Sequence, residues 1–175
     1  MAILLIVVAS LTGALVSATH NEADLNNRYQ TQSQARLAMS RLVKEVHCAS
    51  AITDTLSPAV SLSSWTSAKT SLTLTLPSGC STGSGTVYWC TSAGGGKWNL
   101  YRQTAWTGSC TGGAKWAYGL TSAAPFSLPS GVANLPTTPH YPLLHVTLAV
   151  NALKSGSSGA YQLTDDIAAL NAARS

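Results

Sequence analysis

Charge is what this chain has least of. Asp, Glu, Lys and Arg supply 9% of its 175 residues, against about a quarter in ordinary soluble domains, and none of them falls within the first 18 positions. The net charge of +4 is spread along the chain with no basic run, so no nucleic-acid patch is indicated. Helix breakers are missing from the opening stretch: no proline precedes Pro58, and after Gly13 no glycine precedes Gly79. The usual sequence signs of chemistry are missing too. There is no C-x-x-C, no H-E-x-x-H, no G-x-S-x-G, no Walker loop, and no G-x-G-x-x-G opening a helix. Gly94, Gly95 and Gly96 sit between two strand-like segments with no phosphate-binding helix behind them. These absences point away from an enzyme and leave no catalytic residue, cofactor, metal or small-molecule substrate to assign.

What remains at the start is one uninterrupted helix from Met1 to about Ala51, with two halves of opposite character. Residues 1–18 are apolar except for Ser10, Thr12 and Ser17, whose hydroxyls can bond back to helix carbonyls. At 1.5 Å per residue they cover roughly 27 Å, near the ~30 Å of a bilayer's hydrocarbon core. This half is expected to span a membrane, with Leu4, Leu5, Val8, Leu11 and Leu15 as its packing surface. Residues 19–51 form an amphipathic half. Leu25, Tyr29, Gln32, Ala35, Met39, Leu42 and Val46 recur at steps of three and four, while Arg28, Gln34, Arg36, Arg41, Lys44 and Glu45 lie largely off that stripe. Leu25, Tyr29, Met39, Leu42 and Val46 are the residues expected to dock a sheet.

Residues 52–175 are expected to form one β-sheet domain. The Ser/Thr-rich run after Pro58 reads as a linker, with Trp65 anchoring it into the core. SLTLTL at 71–76 alternates strictly; TVYWCT at 86–91 and WNLYRQT at 98–104 complete an antiparallel meander. LLHVTLAV at 143–150 reads as a strand covered on both faces, and YQLTDDI at 161–167 as a last or edge strand. Residues 105–142 mix Trp106, Trp116, Tyr118 and Phe126 with many glycines and prolines. They read as a long loop with a short strand near Lys115–Leu120, of the kind that is functional or tied down. The fold class is therefore α+β, a long helix packed on an antiparallel sheet of four or five strands, since the helix stripe is the only long amphipathic surface the sheet could cover.

Cys48, Cys80, Cys90 and Cys110 are an even set beside an apolar segment, which suggests two disulfides in a domain outside the cytoplasm. Four cysteines allow three pairings, and the sequence does not choose among them. The favoured arrangement joins Cys48 to Cys80 and Cys90 to Cys110, which would pin the helix end to the sheet and close a hairpin loop. His20, His47, His140 and His145 lack metal-ligand spacing, and His47 beside Cys48 reads as structural. Asp165 and Asp166 are adjacent, so in a strand they point to opposite faces and cannot act as a carboxylate pair. A calcium site on either is set aside in favour of a solvated turn or capping role. The aromatic residues with Lys97, Arg102 and Lys115 could stack single-stranded DNA, but core aromatics with peripheral cations are the favoured explanation.

The segment QARLAMSRLVKEVHCAS, behind a run containing MAILLIVV, resembles the long N-terminal helix of type IV pilins and pseudopilins. It is most similar to the minor-pilin and pseudopilin branch, where an Ala-Arg and a later Arg-Leu-x-x-Glu recur before the helix ends. TVYWCTSAGGGKWNLYRQ and YQLTDDIAALNAARS look like the strands and tail of that branch. The basic leader, cleavage-site glycine, aromatic residue and fifth-position glutamate of the family are absent from this chain, and MAI is what the family carries several residues inside the mature helix. The expectation is a natural start upstream of Met1. The resemblance implies a structural subunit of a type IV pilus or type II secretion-like filament, anchored by a single membrane pass and lifted into a filament with other pilin-like subunits. Its C-terminal domain would lie outside the cytoplasm, Arg36 and Arg41 would face acids of neighbouring subunits, and any partner specificity would sit in loop 105–142.

Two alternatives stand beside it. One is a membrane-anchored or secreted extracellular binding domain that displays the Trp/Gly-rich loop 105–142. The other treats Val16-Ser17-Ala18 as a signal-peptidase site. The lack of a basic residue before the apolar run and the helical stripe that begins straight after Ala18 count against the second.

Overall fold

The computed structural model describes residues 2–62, 65–129, 142–151 and 160–171, with side chains at all of them except 2–7 and 58–61. Among the described residues one helix, α1 (Ala2–Cys48), leads into nine strands: β1 (Ala51–Asp54), β2 (Ser57–Ser61), β3 (Ser71–Leu76), β4 (Gly85–Gly94), β5 (Lys97–Gln103), β6 (Ala114–Leu120), β7 (Phe126–Ser127), β8 (Leu143–Val150) and β9 (Tyr161–Ala168). The class is α+β. The strands form a single antiparallel sheet in the order β2-β1-β3-β4-β5-β6-β8-β7, with β9 on the other side of β8. A bridge between Lys69 and Phe126 brings β7 back beside the approach to β3, so the sheet curls.

The strands expected at 71–76, 86–91, 98–104, 143–150 and 161–167 are β3, β4, β5, β8 and β9, and the short one near Lys115 is β6. Four or five strands is nevertheless an undercount, because β1, β2 and β7 join the same sheet. They are short or irregular enough to hide: β1 has four residues, β7 has two, and β2 carries Pro58 within the run taken as a linker. Proline is tolerated in β2 because it is an outermost strand, where one row of backbone donors has no ladder to serve.

The meander register seats the apolar face. Leu72 and Leu74 lie opposite Trp89 and Val87, and Thr91 opposite Leu100; all six but Thr91 are almost wholly buried. Gly95 and Gly96 close β4 onto β5 with φ of 63° and 80°. Two successive positive values are what a type I′ hairpin requires, and they account for the glycine run. The second face of β8, expected to be covered, is half-exposed at Leu143, His145, Thr147 and Ala149.

Only the C-terminal part of α1 meets the sheet. Thr31, Ala35, Ala38, Met39, Leu42, Glu45 and Val46 are buried, against β6, β9, β8 and β3. Leu25 and Tyr29, expected to dock the sheet, are instead 66% and 72% exposed. The sheet ends too early to reach them. Gly119 lies near this end of the packed face, where an added Cβ would stand 2.9 Å from the Asn151 carbonyl oxygen and 3.8 Å from the Thr31 methyl. The body therefore begins at Thr31, about half a turn beyond Tyr29. The contrast is testable by chemical denaturation: Leu42→Ala, at 0% exposure, should cost about 2 to 5 kcal/mol, whereas Leu25→Ala should stay within about 0.5 kcal/mol.

Candidate functional site

Two regions of α1 carry what is unusual about this molecule. The first is the exposed half. Val8, Leu11, Leu15 and Val16 are 52%, 64%, 68% and 48% exposed, and with Leu25 and Tyr29 they make a run of large apolar side chains that the chain's own body leaves uncovered. The Thr12 hydroxyl donates to the Val8 carbonyl and that of Thr19 to the Val16 carbonyl. Polar groups on this half are thereby partly satisfied within the helix, as an apolar surrounding requires. Among the described residues no helix is long and apolar enough to cross a membrane. Leu4 and Leu5, assigned to the same packing surface, have side chains outside the described set.

The second region is a buried ionic node at the lower end of the helix. Glu45 was expected off the docking stripe, yet it is 0% exposed. Its Oε1 accepts from Arg41 Nε at 2.8 Å and Arg102 Nε at 2.9 Å, and its Oε2 from the Trp89 indole N–H at 2.8 Å. A carboxylate buried this deeply persists only when paired and hydrogen-bonded, and here β4 and β5 both supply donors to it. The helical period alone misassigned it because apolar periodicity ranks a glutamate as solvent-facing. The signal that could have found it is the pair of Arg41, one helical turn before Glu45, with a strand arginine and tryptophan in register at Arg102 and Trp89.

The same node changes the roles expected of the arginines. Arg41 is occupied within the chain, donating also to the Thr82 carbonyl at 2.7 Å. Arg36 donates to the Tyr161 hydroxyl at 3.0 Å and lies 5.5 Å from that ring's centroid. Arg28 pairs with Asp24 at 3.0 Å. Asp54, buried at the end of β1, holds Lys69 at 3.1 Å and the Leu56 backbone N–H.

Two disulfides clamp the helix and the first part of the long loop. Cys48–Cys80 ties the end of α1 to the turn between β3 and β4, and Cys90–Cys110 ties β4 to the 3-10 turn at Cys110–Gly112, after β5. Closing loops of 32 and 20 residues contributes about 4 and 3 kcal/mol on the chain-entropy estimate. Replacing either pair by serines should lower the unfolding free energy by about that amount in denaturant titration.

Loop 105–142 is more ordered than a loop over its first part. Trp106 stacks on Tyr88 at 5.7 Å, Trp116 packs against Trp89 at 5.8 Å, and Phe126 is buried. Residues 130–141 lie outside the described set, and with them His140. Trp65 is 5% exposed, its indole nitrogen without a partner among the described residues. The cations considered for nucleic acid are dispersed: Arg102 turns inward to Glu45, and Lys97 donates to the Asn151 carbonyl at 2.5 Å.

The two aspartates are adjacent in β9, the strand expected at 161–167, and so take opposite faces as expected, but they do not serve the expected turn or capping role. Asp165 and Asp166 lie within β9 and not in a turn. Asp166 stands directly opposite His145 on β8 and meets its Nδ1 at 2.5 Å, while His145 Nε2 lies 3.1 Å from the Thr147 hydroxyl. Among the described residues no group of three or more His, Cys, Asp or Glu is placed to hold a metal ion. No family model matches this chain, and neither a curated protein nor a solved structure matches it.

Proposed function

We propose that the protein is a structural subunit of a pilus- or secretion-type filament, of the minor pilin or pseudopilin kind, held in the membrane by its N-terminal helix before assembly. The observation that carries this reading is the group of exposed large apolar side chains Val8, Leu11, Leu15 and Val16 on α1, a helix whose C-terminal part is packed into a disulfide-bonded domain. A chain that keeps such a surface must cover it, because contiguous exposed apolar patches mark interaction or membrane sites. The two-part helix supports lipid and neighbouring helices as successive surroundings. The helix residues Val8, Leu11 and Leu15 then serve retention and packing, with Leu4 and Leu5 assigned to the same surface. The domain, lying outside the cytoplasm, forms the shell. The proposed role is mechanical and assigns no catalytic step.

A second reading, a membrane-anchored or secreted binding domain, is favoured by the clamped turn at Cys110 and the Trp106–Tyr88 stack on the sheet. Fractionation of the native host separates the two. A filament subunit sediments with membranes and is recovered in sheared filaments together with other pilin-like chains. Recovery of the intact chain only as a soluble monomer would remove the filament assignment.

A further inference from the structure

A cluster of nucleophilic and titratable side chains that neither the helix nor the buried node absorbs lies on the outer face of β8 and β9. The ladder sets it up. His145 and Thr147 are two residues apart on β8 and so share a face, and β9 places Asp166 opposite His145 and Thr164 opposite Thr147. The donors and acceptors then fix one another. An ionised Asp166 only accepts, so the His145 proton sits on Nδ1, which is 2.5 Å from Asp166 Oδ1. In the neutral imidazole that tautomer makes Nε2 an acceptor, toward which the Thr147 O–H, 3.1 Å away, is placed to donate. An acid that holds an imidazole in the tautomer whose other nitrogen takes a hydroxyl proton is the arrangement of an activated nucleophile. Thr164 stands opposite Thr147 on the neighbouring strand. Its oxygen accepts from Gln162 Nε2 at 3.3 Å. His145 is 29% and Asp166 56% exposed at the side chain, so a small reagent reaches the site from solution.

We infer that Thr147 is an acyl acceptor, its hydroxyl activated by His145 and taking an acyl group from an activated ester. In the step, Thr147 Oγ forms a bond to the acyl carbon while the bond from that carbon to the leaving oxygen breaks. The Thr147 proton passes to His145 Nε2 and from there to the departing oxygen, so the acyl ester and one alcohol are formed with no change of oxidation state. Asp166 is a positioning residue: it fixes the imidazole and touches no reacting atom. This inference is independent of the filament assignment, since it concerns a sheet face remote in sequence from the exposed helix.

The test treats the full chain with p-nitrophenyl acetate, follows release of p-nitrophenolate, and maps acetyl groups by peptide mass after an acid quench. Expected is release that falls about 100-fold in His145→Gln, the usual scale of a general base, and is lost in Thr147→Val but retained in Thr147→Ser. Acetyl is expected on Thr147 where the ester survives the quench. Asp166→Asn should slow the rate at saturating ester while leaving the concentration for half-saturation unchanged, which a merely structural residue would not do selectively. Release that depends on His145 but survives Thr147→Val would make the imidazole the nucleophile and overturn the inference. Acetylation confined to lysines in the unsubstituted chain, with release unaffected by either substitution, would overturn it as well, and needs no variant to fold for the mapping.

Discussion

Replacing Glu45 by alanine is expected to lower the unfolding free energy by about 3 to 5 kcal/mol, the usual cost of removing one partner from a buried ion pair. The magnitude follows from what is left behind. Arg102, 16% exposed at its side chain, loses its carboxylate, and the Trp89 indole N–H, on a residue at 0% exposure, loses its acceptor. Arg41 is 30% exposed and can rehydrate, so its share of the loss is small. Trp89→Phe removes one hydrogen bond to a charged group and should cost less, about 1.5 to 3 kcal/mol. Equilibrium denaturation with an unchanged slope checks both values. A Glu45→Ala loss below about 1 kcal/mol would mean that the arginines find water and that the node does not hold the helix to the sheet.

The second large effect concerns the other half of the helix and must leave the domain untouched. Leu11→Arg places a charge in the middle of the apolar stretch, at a position 64% exposed in the isolated chain. Folding stability should move by no more than about 0.5 kcal/mol. Under the proposed membrane retention the same change costs about 2.5 to 3.5 kcal/mol at a helix centre, and on that proposal the partition between membrane and soluble fractions should shift roughly 100-fold. The ratio of membrane-bound to soluble chain in cells, measured beside a denaturation curve of the same variant, separates the two effects. Equal losses in both would place Leu11 inside the fold and contradict its exposure.

Strict alternation made β3 and β8 readable from the sequence, and the Gly-rich breaks between 93 and 97 located the β4–β5 hairpin. The helix was legible through its lack of breakers. Three things were not. β1, β2 and β7 are too short to establish a period of two, and they exist because the curled sheet supplies them with neighbours. Leu25 and Tyr29 continue the docking stripe in sequence, but the stripe carries no information on where the sheet stops, near Gly119 and Asn151. Glu45 sits on the buried face because Arg41, Arg102 and Trp89 converge on it, and periodicity ranks residues by hydropathy without seeing such partners. The pairing of Cys48 with Cys80 and Cys90 with Cys110 is likewise fixed by which turns lie together, with Cα atoms 5.8 Å apart in each pair.

The filament assignment stands or falls on what covers the exposed helix, and a photoactivatable residue at position 15 in cells of the native host measures that directly. A filament subunit gives cross-links to lipid before assembly and to other pilin-like chains in sheared filaments, with little product from the same residue placed on the sheet's outer face at Thr73. A chain that cross-links at position 15 to neither lipid nor protein, and is recovered in the soluble fraction, would contradict it.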